Sequence, residues 1–167
     1  MLEELEKRGL ISAVTSFSIR ISDYQMIITT PYPRLAPLQL SYLKRELRWE
    51  EGPWDTYLHS KIYRKIERAK SVLFLFNPEI LKVGEEEGWR DVWGRRLAPE
   101  ISVVEVEEEP VQERLLLPLL TNLLLKNVVI FPRFGLYLIG RSWEELLRKV
   151  VQLHDSARFS LLFTQSQ

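Results

Sequence analysis

The run from Val72 to Phe76 is apolar at every position and constrains the fold more than any other part of the chain. Successive side chains of a β-strand point to opposite faces of the sheet, so a strand that is apolar throughout has to be buried on both faces. Such a strand lies in the middle of a sheet that helices cover on both sides. The sequence therefore predicts an α/β fold with this segment as a central strand.

Two long helices are predicted, one before this strand and one after it. The first spans Trp54 to Lys70, and its apolar stripe recurs every four residues: Trp54, Leu58, Ile62 and Ile66. The second begins at Ser142, where Ser-Trp-Glu-Glu145 matches a capping box in which Ser142 and Glu145 each satisfy a free backbone amide. Its predicted buried face consists of Leu146, Val150, Leu153, Ala157 and Leu161.

Shorter elements account for most of the remaining chain. Three helices are predicted: one near the N terminus that ends near Gly9, one over Pro78 to Glu87, and one over Pro110 to Leu125. Five further strands are predicted over Ile11 to Ser22, Tyr24 to Thr30, Ile101 to Val106, Asn127 to Pro132 and Leu136 to Ile139. The prolines at 31, 33 and 37 predict an irregular connection, and Leu43 to Trp49 fits either a helix or a strand. No segment reads as a linker, so residues 1–167 are predicted to form a single domain.

Charge and composition narrow the classes of partner. Lys+Arg and Asp+Glu balance at 23 each, so the chain lacks the broad positive field of a nucleic-acid binder. No apolar run approaches the ~20 residues of a membrane span, and the charged start is unlike a secretory signal. The absence of cysteine removes disulfides and thiolate metal ligands. These features predict a cytoplasmic protein that binds neither nucleic acid nor membranes, and the many Glu, Arg and Lys residues are typical of thermophilic proteins.

Several motifs resemble the class II aldolase/adducin family. The stretch from Asn127 to Leu146 is similar to the family's closing segment, in which a strand leads into Asn-His-Gly, a second strand and Gly-Arg-Ser/Asp before a long helix. Asp55 to Tyr63 resembles the helix that starts Ser-Ser-Glu and keeps a His and a Tyr four residues apart. The runs Gly9 to Arg20 and Ile27 to Pro31 also match family segments. The resemblance spans most of residues 9–160 and implies a three-layer α/β/α fold with a mixed, mostly antiparallel central sheet.

The family's metal site is where this sequence departs most. Zinc-dependent members carry histidines at the three positions that Phe74, Phe76 and Phe134 occupy here, and phenylalanine has no lone pair to give a metal. The chain contains only His59 and His154, and neither belongs to a His-X-His pair. The resemblance implies zinc, but the sequence predicts no metal ligands and no cofactor. The rings are expected to pack as core, each contributing about 1.5–3 kcal/mol of transfer free energy; a pocket for a hydrophobic ligand is the alternative.

The family's phosphate-binding positions are also altered. Thr15-Ser16 stands in place of the family's Gly-Asn pair, and Pro53-Trp54 stands in place of its Ser-Ser pair. Glycine lets backbone amides approach an anion, whereas a tryptophan crowds it. Ser16, Thr29 and Thr30 keep hydroxyl groups and remain the candidates for a phosphate-like loop.

Asp55, His59 and Tyr63 are the candidate catalytic residues. Asp55 aligns with the family's catalytic glutamate, and the three are successive i,i+4 neighbours on one helix face. One interpretation is a metal-free acid/base row in which Asp55 orients His59. The favoured interpretation is structural: Asp55 caps or complements a helix N terminus, and the other two are half-buried polar residues.

The middle of the chain, Glu85 to Glu109, matches the family least. Trp89 and Trp93 lie there beside several arginines, and they either pack locally or form an oligomer interface, since Trp and Arg are enriched at interfaces. Family enzymes are commonly cyclic homotetramers, so the resemblance implies a homo-oligomer, most simply a tetramer.

The function expected from these features is that of a metal-free, catalytically inactive homologue, an oligomerising or partner-binding module for which adducin is a precedent. The competing hypothesis is a lyase or isomerase of small phosphorylated sugars or keto compounds that works without zinc through Asp55, His59 and Tyr63. A third possibility is an accidental alignment and an unrelated α/β protein.

Overall fold

The computed structural model describes residues 1–30, 38–41, 53–85, 101–106 and 112–165. Three predictions lie outside these ranges: the irregular connection at the prolines, the segment Leu43 to Trp49, and the interface at Trp89 and Trp93.

The strands of the described residues form one seven-stranded sheet in the order β3-β2-β1-β4-β7-β6-β5. Their bounds are β1 Ser16–Arg20, β2 Gln25–Thr29, β3 Leu38–Ser41, β4 Ser71–Leu75, β5 Ile101–Val103, β6 Val128–Phe131 and β7 Gly135–Gly140. Within these ranges β5 and β6 pair in parallel, and every other neighbouring pair is antiparallel. The predicted mixed, mostly antiparallel sheet is confirmed.

The described residues also form five helices: α1 Leu2–Lys7, α2 Thr56–Lys65, α3 Pro78–Glu85, α4 Gln112–Leu125 and α5 Trp143–Gln165. Among them, none is both long and apolar enough to cross a bilayer. Gly9 follows α1 with a φ of 67°, a left-handed conformation that ends the helix as its sequence predicts.

The helices lie in two layers, one on each face of the sheet. One core cluster joins α1, α3 and α5 to alternate strand residues such as Leu73, Leu75 and Leu138. The other joins α2 and α4 to the intervening residues, among them Val72 and Tyr137. This alternation confirms the three-layer α/β/α fold, because each central strand sends successive side chains to opposite helix layers.

The fully apolar segment is the middle strand of the seven, as predicted. All five residues of β4 are buried, and the strand pairs with β1 on one side and β7 on the other. However, β4 ends at Leu75, and Phe76 beyond it is 37% exposed. The prediction extended the strand one residue too far because Phe76 continues the apolar pattern after the pairing has ended.

Other boundaries differ in similar ways. The helix predicted to reach Lys70 ends at Lys65, and Ile66 is buried but has the extended φ and ψ of −122° and 93°. Edge strand β3 was not predicted at all. It begins at Leu38 and pairs with β2.

The capping box at the start of α5 is confirmed with one change of partner. The Glu145 backbone N–H donates to Ser142 Oγ at 3.2 Å, as in the standard motif. The Glu145 carboxylate accepts from the N–H of Arg141, one residue earlier than the motif predicts, at 2.8 Å.

Candidate functional site

Strand β1 and helix α2 bring the predicted catalytic row together in the core. Asp55 immediately precedes α2, and His59 and Tyr63 follow at one-turn intervals, so the three face the sheet together. Ser16 and Ser18 alternate along β1 and point to the same layer. Each of these five residues is buried, and Asp55 and His59 have no exposed surface.

Asp55 Oδ2 is the acceptor at one end of this polar group. Ser16 Oγ donates to it at 2.6 Å, and Tyr137 Oη donates at 3.2 Å from strand β7. His59 Nε2 lies 3.1 Å from the same oxygen. Because an ionised carboxylate can only accept, His59 is the donor in this contact, and its Nε2 carries the proton.

Ser18 connects the other end of the histidine to the tyrosine of the helix. Its Oγ lies 2.6 Å from His59 Nδ1 and 2.9 Å from Tyr63 Oη. With a neutral imidazole protonated on Nε2, Nδ1 accepts from Ser18, whose Oγ accepts from Tyr63. One set of proton positions therefore satisfies every contact, in a directed chain from Tyr63 through Ser18 and His59 to Asp55. In the predicted row, Asp55 and His59 are thus joined directly, whereas Ser18 bridges His59 and Tyr63.

Two features of the group are electrostatically unusual. Burial raises the pKa of Tyr137 well above its ordinary value, and the charge of Asp55 and the hydrogen bond to it raise that pKa further. Tyr137 therefore stays protonated and serves as a donor to the carboxylate. The second feature is Asp55 Oδ1, which is buried without a hydrogen-bond partner in the described residues.

An aromatic group lies directly beside this polar group. The Trp54 ring meets Phe74 and Phe134 edge to face, with centroids 5.1 and 5.3 Å apart. Phe74 lies 5.4 Å from Phe134 and 4.9 Å from Tyr137, so Tyr137 belongs to both groups. Contacts of this kind contribute roughly 0.5–1.5 kcal/mol each beyond the burial of apolar area.

The backbone at Gly135 shows how tightly this group is packed. A Cβ built on Gly135 would lie 2.6 Å from Cε2 and Cζ of the Phe74 ring and 3.0 Å from the carbonyl oxygen of Leu75. Only glycine leaves room for the ring at this point, and the residue also has a positive φ of 151°.

The three phenylalanines do not all meet. Phe74 and Phe134 are in contact, but Phe76, exposed at the end of β4, makes no ring contact with either of them. The residues present do not fit a zinc ion, because packed benzyl rings offer no donor atom. The described residues also contain no group of three or more His, Cys, Asp or Glu side chains placed to hold a metal.

The three candidates for a phosphate-like loop, Ser16, Thr29 and Thr30, make different contacts in the structure. Ser16 donates its hydroxyl proton to Asp55. The Thr29 hydroxyl contacts the neighbouring carbonyl of Thr30 at 3.4 Å, and Thr30 is itself buried. Trp54, the residue expected to crowd an anion, packs on Phe74 and Phe134 instead of lining an open loop.

The structure differs from the structural interpretation of Asp55 in two details, the capping hydrogen bond and the degree of burial of the other two residues. Asp55 occupies the N-cap position of α2, yet its side chain makes no capping hydrogen bond and turns towards Ser16. His59 and Tyr63 are fully buried rather than half-buried.

Ser18 and Tyr137 are the members of the group that sequence reasoning missed. The alternation of Ser16 and Ser18 with the apolar Phe17 and Ile19 is a usable signal, since both serines have to face one layer. Tyr137 could have been found only from the pairing of β4 with β7, which sets it opposite Phe74.

Chemically, the group has the elements of an acid/base relay but not its access. Ser18, His59 and Asp55 are linked in the order of a nucleophile, a base and an orienting carboxylate. A catalytic serine has to reach its substrate, and Ser18 has no exposed surface. What the arrangement does is satisfy buried polar groups against one another, with the exception of Asp55 Oδ1.

Solved structures provide the comparison with known proteins. L-fuculose-1-phosphate aldolase from Thermus thermophilus superposes with a TM-score of 0.75 and 18% identity, over 98% of this chain and 90% of that chain. A sugar-phosphate aldolase from Thermotoga maritima gives 0.69 and 18%, over 97% and 90%. An aldolase II superfamily protein from Pseudomonas syringae gives 0.73 and 15%, over 97% and 72%. No family model and no curated protein matches the sequence. The chain therefore has the fold of the class II aldolases, as its motifs predicted.

Proposed function

We propose that this chain is a class II aldolase-fold protein that lacks aldolase activity and acts as an oligomerising or partner-binding module. The observation that carries the proposal is the contact of Trp54, Phe74 and Phe134, whose rings pack together where the resemblance places metal ligands and a phosphate loop. A sugar phosphate is a strongly hydrated anion, and an apolar aromatic group offers it no compensating charge.

The burial of the acid/base row supports the same proposal. Asp55 and His59 have no exposed surface, and each is already engaged by neighbouring side chains. A general base has to come within hydrogen-bond reach of the proton it removes. Using this row on a substrate would mean first breaking the contacts that satisfy it.

An exposed apolar stripe on α4 supports a binding role. Leu117, Leu124 and Leu125 are 74%, 52% and 80% exposed, while Leu120 between them is partly buried. Leu117, Leu120 and Leu124 have the three- and four-residue spacing of a coiled-coil seam. Leucines this exposed on one helix are typical of a surface that another helix covers, and a second copy of the chain is the simplest partner.

The catalytic half of the proposal is tested by assay and metal analysis. We expect no turnover of L-fuculose 1-phosphate or of related sugar phosphates, with or without added zinc, and no stoichiometric transition metal in the purified protein. Turnover that persists in Asp155→Asn, a surface control, but disappears in Asp55→Asn would overturn the proposal.

The binding half is tested by light scattering coupled to size exclusion across a dilution series. We expect an oligomer that Leu117→Glu and Leu124→Glu dissociate, because burying a carboxylate in an apolar interface is unfavourable. Leu162→Glu is the matched control, since Leu162 is 60% exposed on α5. A monomeric wild type, or equal dissociation by all three substitutions, contradicts the role given to α4.

A second candidate function is metal-free lyase or isomerase chemistry through Asp55. The observation in its favour is Asp55 Oδ1, a buried carboxylate oxygen without a protein partner in the described residues. Such an atom is available to accept a proton or a hydrogen bond from a ligand. The two candidates differ in the effect that they predict for Asp55→Asn on stability.

A further inference from the structure

A cleft of about 460 Å³ lies at the end of β4 and β7 that is remote from the aromatic group. In the register of the two strands, Ser71 pairs with Gly140 at the end where the cleft lies, and Leu75 pairs with Leu136 at the opposite end, next to Phe74. The cleft is lined by residues that include Arg68, Ile139, Gly140, Arg141, Glu145 and Lys149. Its volume is within the range of small-molecule sites.

The charged groups on its walls are mostly positive. Arg68, Arg141 and Lys149 contribute three positive charges and Glu145 one negative charge, which leaves a net +2 in a chain whose formal net charge is zero. A concave surface lined by one sign of charge concentrates the field and attracts ligands of the opposite sign.

Arg68 is held rigidly at the cleft. Its Nη1 donates to the carbonyl of Leu124 at 3.0 Å, and its Nη2 donates to the carbonyls of Leu123 and of Lys126, the latter at 3.1 Å. These contacts satisfy carbonyls at the C-terminal end of α4. A guanidinium has five N–H groups, so within the described contacts it keeps donors for a ligand as well.

Glu145 holds the ammonium group of Lys149 and the backbone of Arg141. Lys149 Nζ lies 2.7 Å from Glu145 Oε1, and Glu145 Oε2 accepts from the backbone of Arg141 at 2.8 Å. The hydrogen bond from Lys149 also lowers the pKa of Glu145, so the carboxylate remains ionised and keeps both partners in place. The capping box already engages the backbone amides of Arg141 and Glu145, so we assign the binding of an anion to the side chains.

We propose that this cleft binds a small phosphate monoester, with the phosphate held by Arg68, Arg141 and Lys149. Arg141 can contact a phosphate through paired N–H groups, Arg68 can donate single N–H groups that its carbonyl contacts leave free, and Lys149 adds a point charge. The cleft is large enough to hold an organic group beside the phosphate. The site is independent of the proposed function, since it lies at the other end of the sheet from Asp55 and Phe74.

The test is a titration with ribose 5-phosphate followed by ¹H–¹⁵N NMR, with sodium chloride at matched ionic strength as the reference. We expect saturable shifts centred on the amides of Ile139, Gly140 and Arg141. The double variant Arg141→Ala/Lys149→Ala should bind about tenfold more weakly or worse, because it loses charge-assisted hydrogen bonds.

Two controls keep the test decisive. Arg148→Ala removes an exposed cation from the same helix outside the cleft lining and should change the affinity by less than about twofold. Arg141→Glu reverses one exposed charge and should abolish saturation even if the double variant unfolds. Shifts that sodium chloride reproduces, or an affinity that neither cleft variant weakens, would overturn the inference.

Discussion

The substitution Asp55→Asn tests whether the Asp55 carboxylate stabilises the fold or is held in place for catalysis. The substitution keeps the shape of the side chain and removes its charge. In the native protein Asp55 Oδ2 accepts from Ser16, His59 and Tyr137, so the loss affects three buried donors at once.

The magnitude follows from those contacts. A hydrogen bond to a charged group contributes about 1.5–3 kcal/mol and a neutral one about 0.5–1.5, so three bonds lose about 3 kcal/mol in total. If the amide oxygen takes the place of Oδ2, the new NH₂ group occupies the position of Oδ1, which has no partner in the described residues. That unpaired donor costs about 1–3 kcal/mol more, whereas removal of a buried charge offsets part of the loss. We expect the free energy of unfolding to fall by about 2–4 kcal/mol.

Urea unfolding followed by tryptophan fluorescence measures this change. Asp155→Asn is the matched control, because Asp155 is exposed on α5 and should change stability by less than about 0.5 kcal/mol. Groups held in place for catalysis often destabilise the fold, so their removal tends to stabilise it. An Asp55→Asn variant as stable as the wild type, or more stable, would refute the structural role and favour the lyase or isomerase candidate.

Three further perturbations test the surroundings of Asp55. The folded pKa of Tyr137 is raised, so its contribution to stability is complete below the unfolded pKa of about 10 and is lost as the pH rises above that value. In urea titrations, Tyr137→Phe should therefore be less stable than the wild type at neutral pH and should lose less stability at alkaline pH. Parallel pH profiles of the two proteins would contradict this. Gly135→Ala should cost about 2–4 kcal/mol through its clash with the Phe74 ring, and Phe74→Leu should recover part of that loss in a double-mutant cycle; an additive result would contradict the clash. Dialysis against a chelator should leave the thermal midpoint unchanged, and a lower midpoint would reveal a bound metal.

The fold was predictable because its strongest signals are local. The apolar run of β4 predicts a buried strand and the Ser142 capping box predicts the start of a helix, each from a few consecutive residues, and both predictions are confirmed. Strand β3 was not predictable in this way, since four residues beside a proline-rich stretch are defined mainly by their pairing with β2.

The site was predictable only in part, because its members come from three elements. The spacing of Asp55, His59 and Tyr63 placed them on one helix face, but nothing in that spacing states what the face meets. Ser18 and Tyr137 enter through the pairing of β1 and β7 with β4, which is a property of the sheet. The same limit applies to Phe76, where the sequence pattern continues and the strand does not.

The presence of acid/base residues in this site does not by itself indicate catalysis. Asp55, His59 and Ser18 satisfy one another, so replacing any one of them leaves buried polar atoms without partners at a cost of about 1–3 kcal/mol each. The aromatic side of the site is under no such constraint, because Phe74 and Phe134 need only volume and contact. The polar side of the site is therefore held by mutual hydrogen bonds, and the aromatic side by packing. On this reasoning the coupling energy between Asp55 and His59, measured by a double-mutant cycle, should appear in the free energy of unfolding; a cycle with no coupling would mean that the pair does not stabilise the fold.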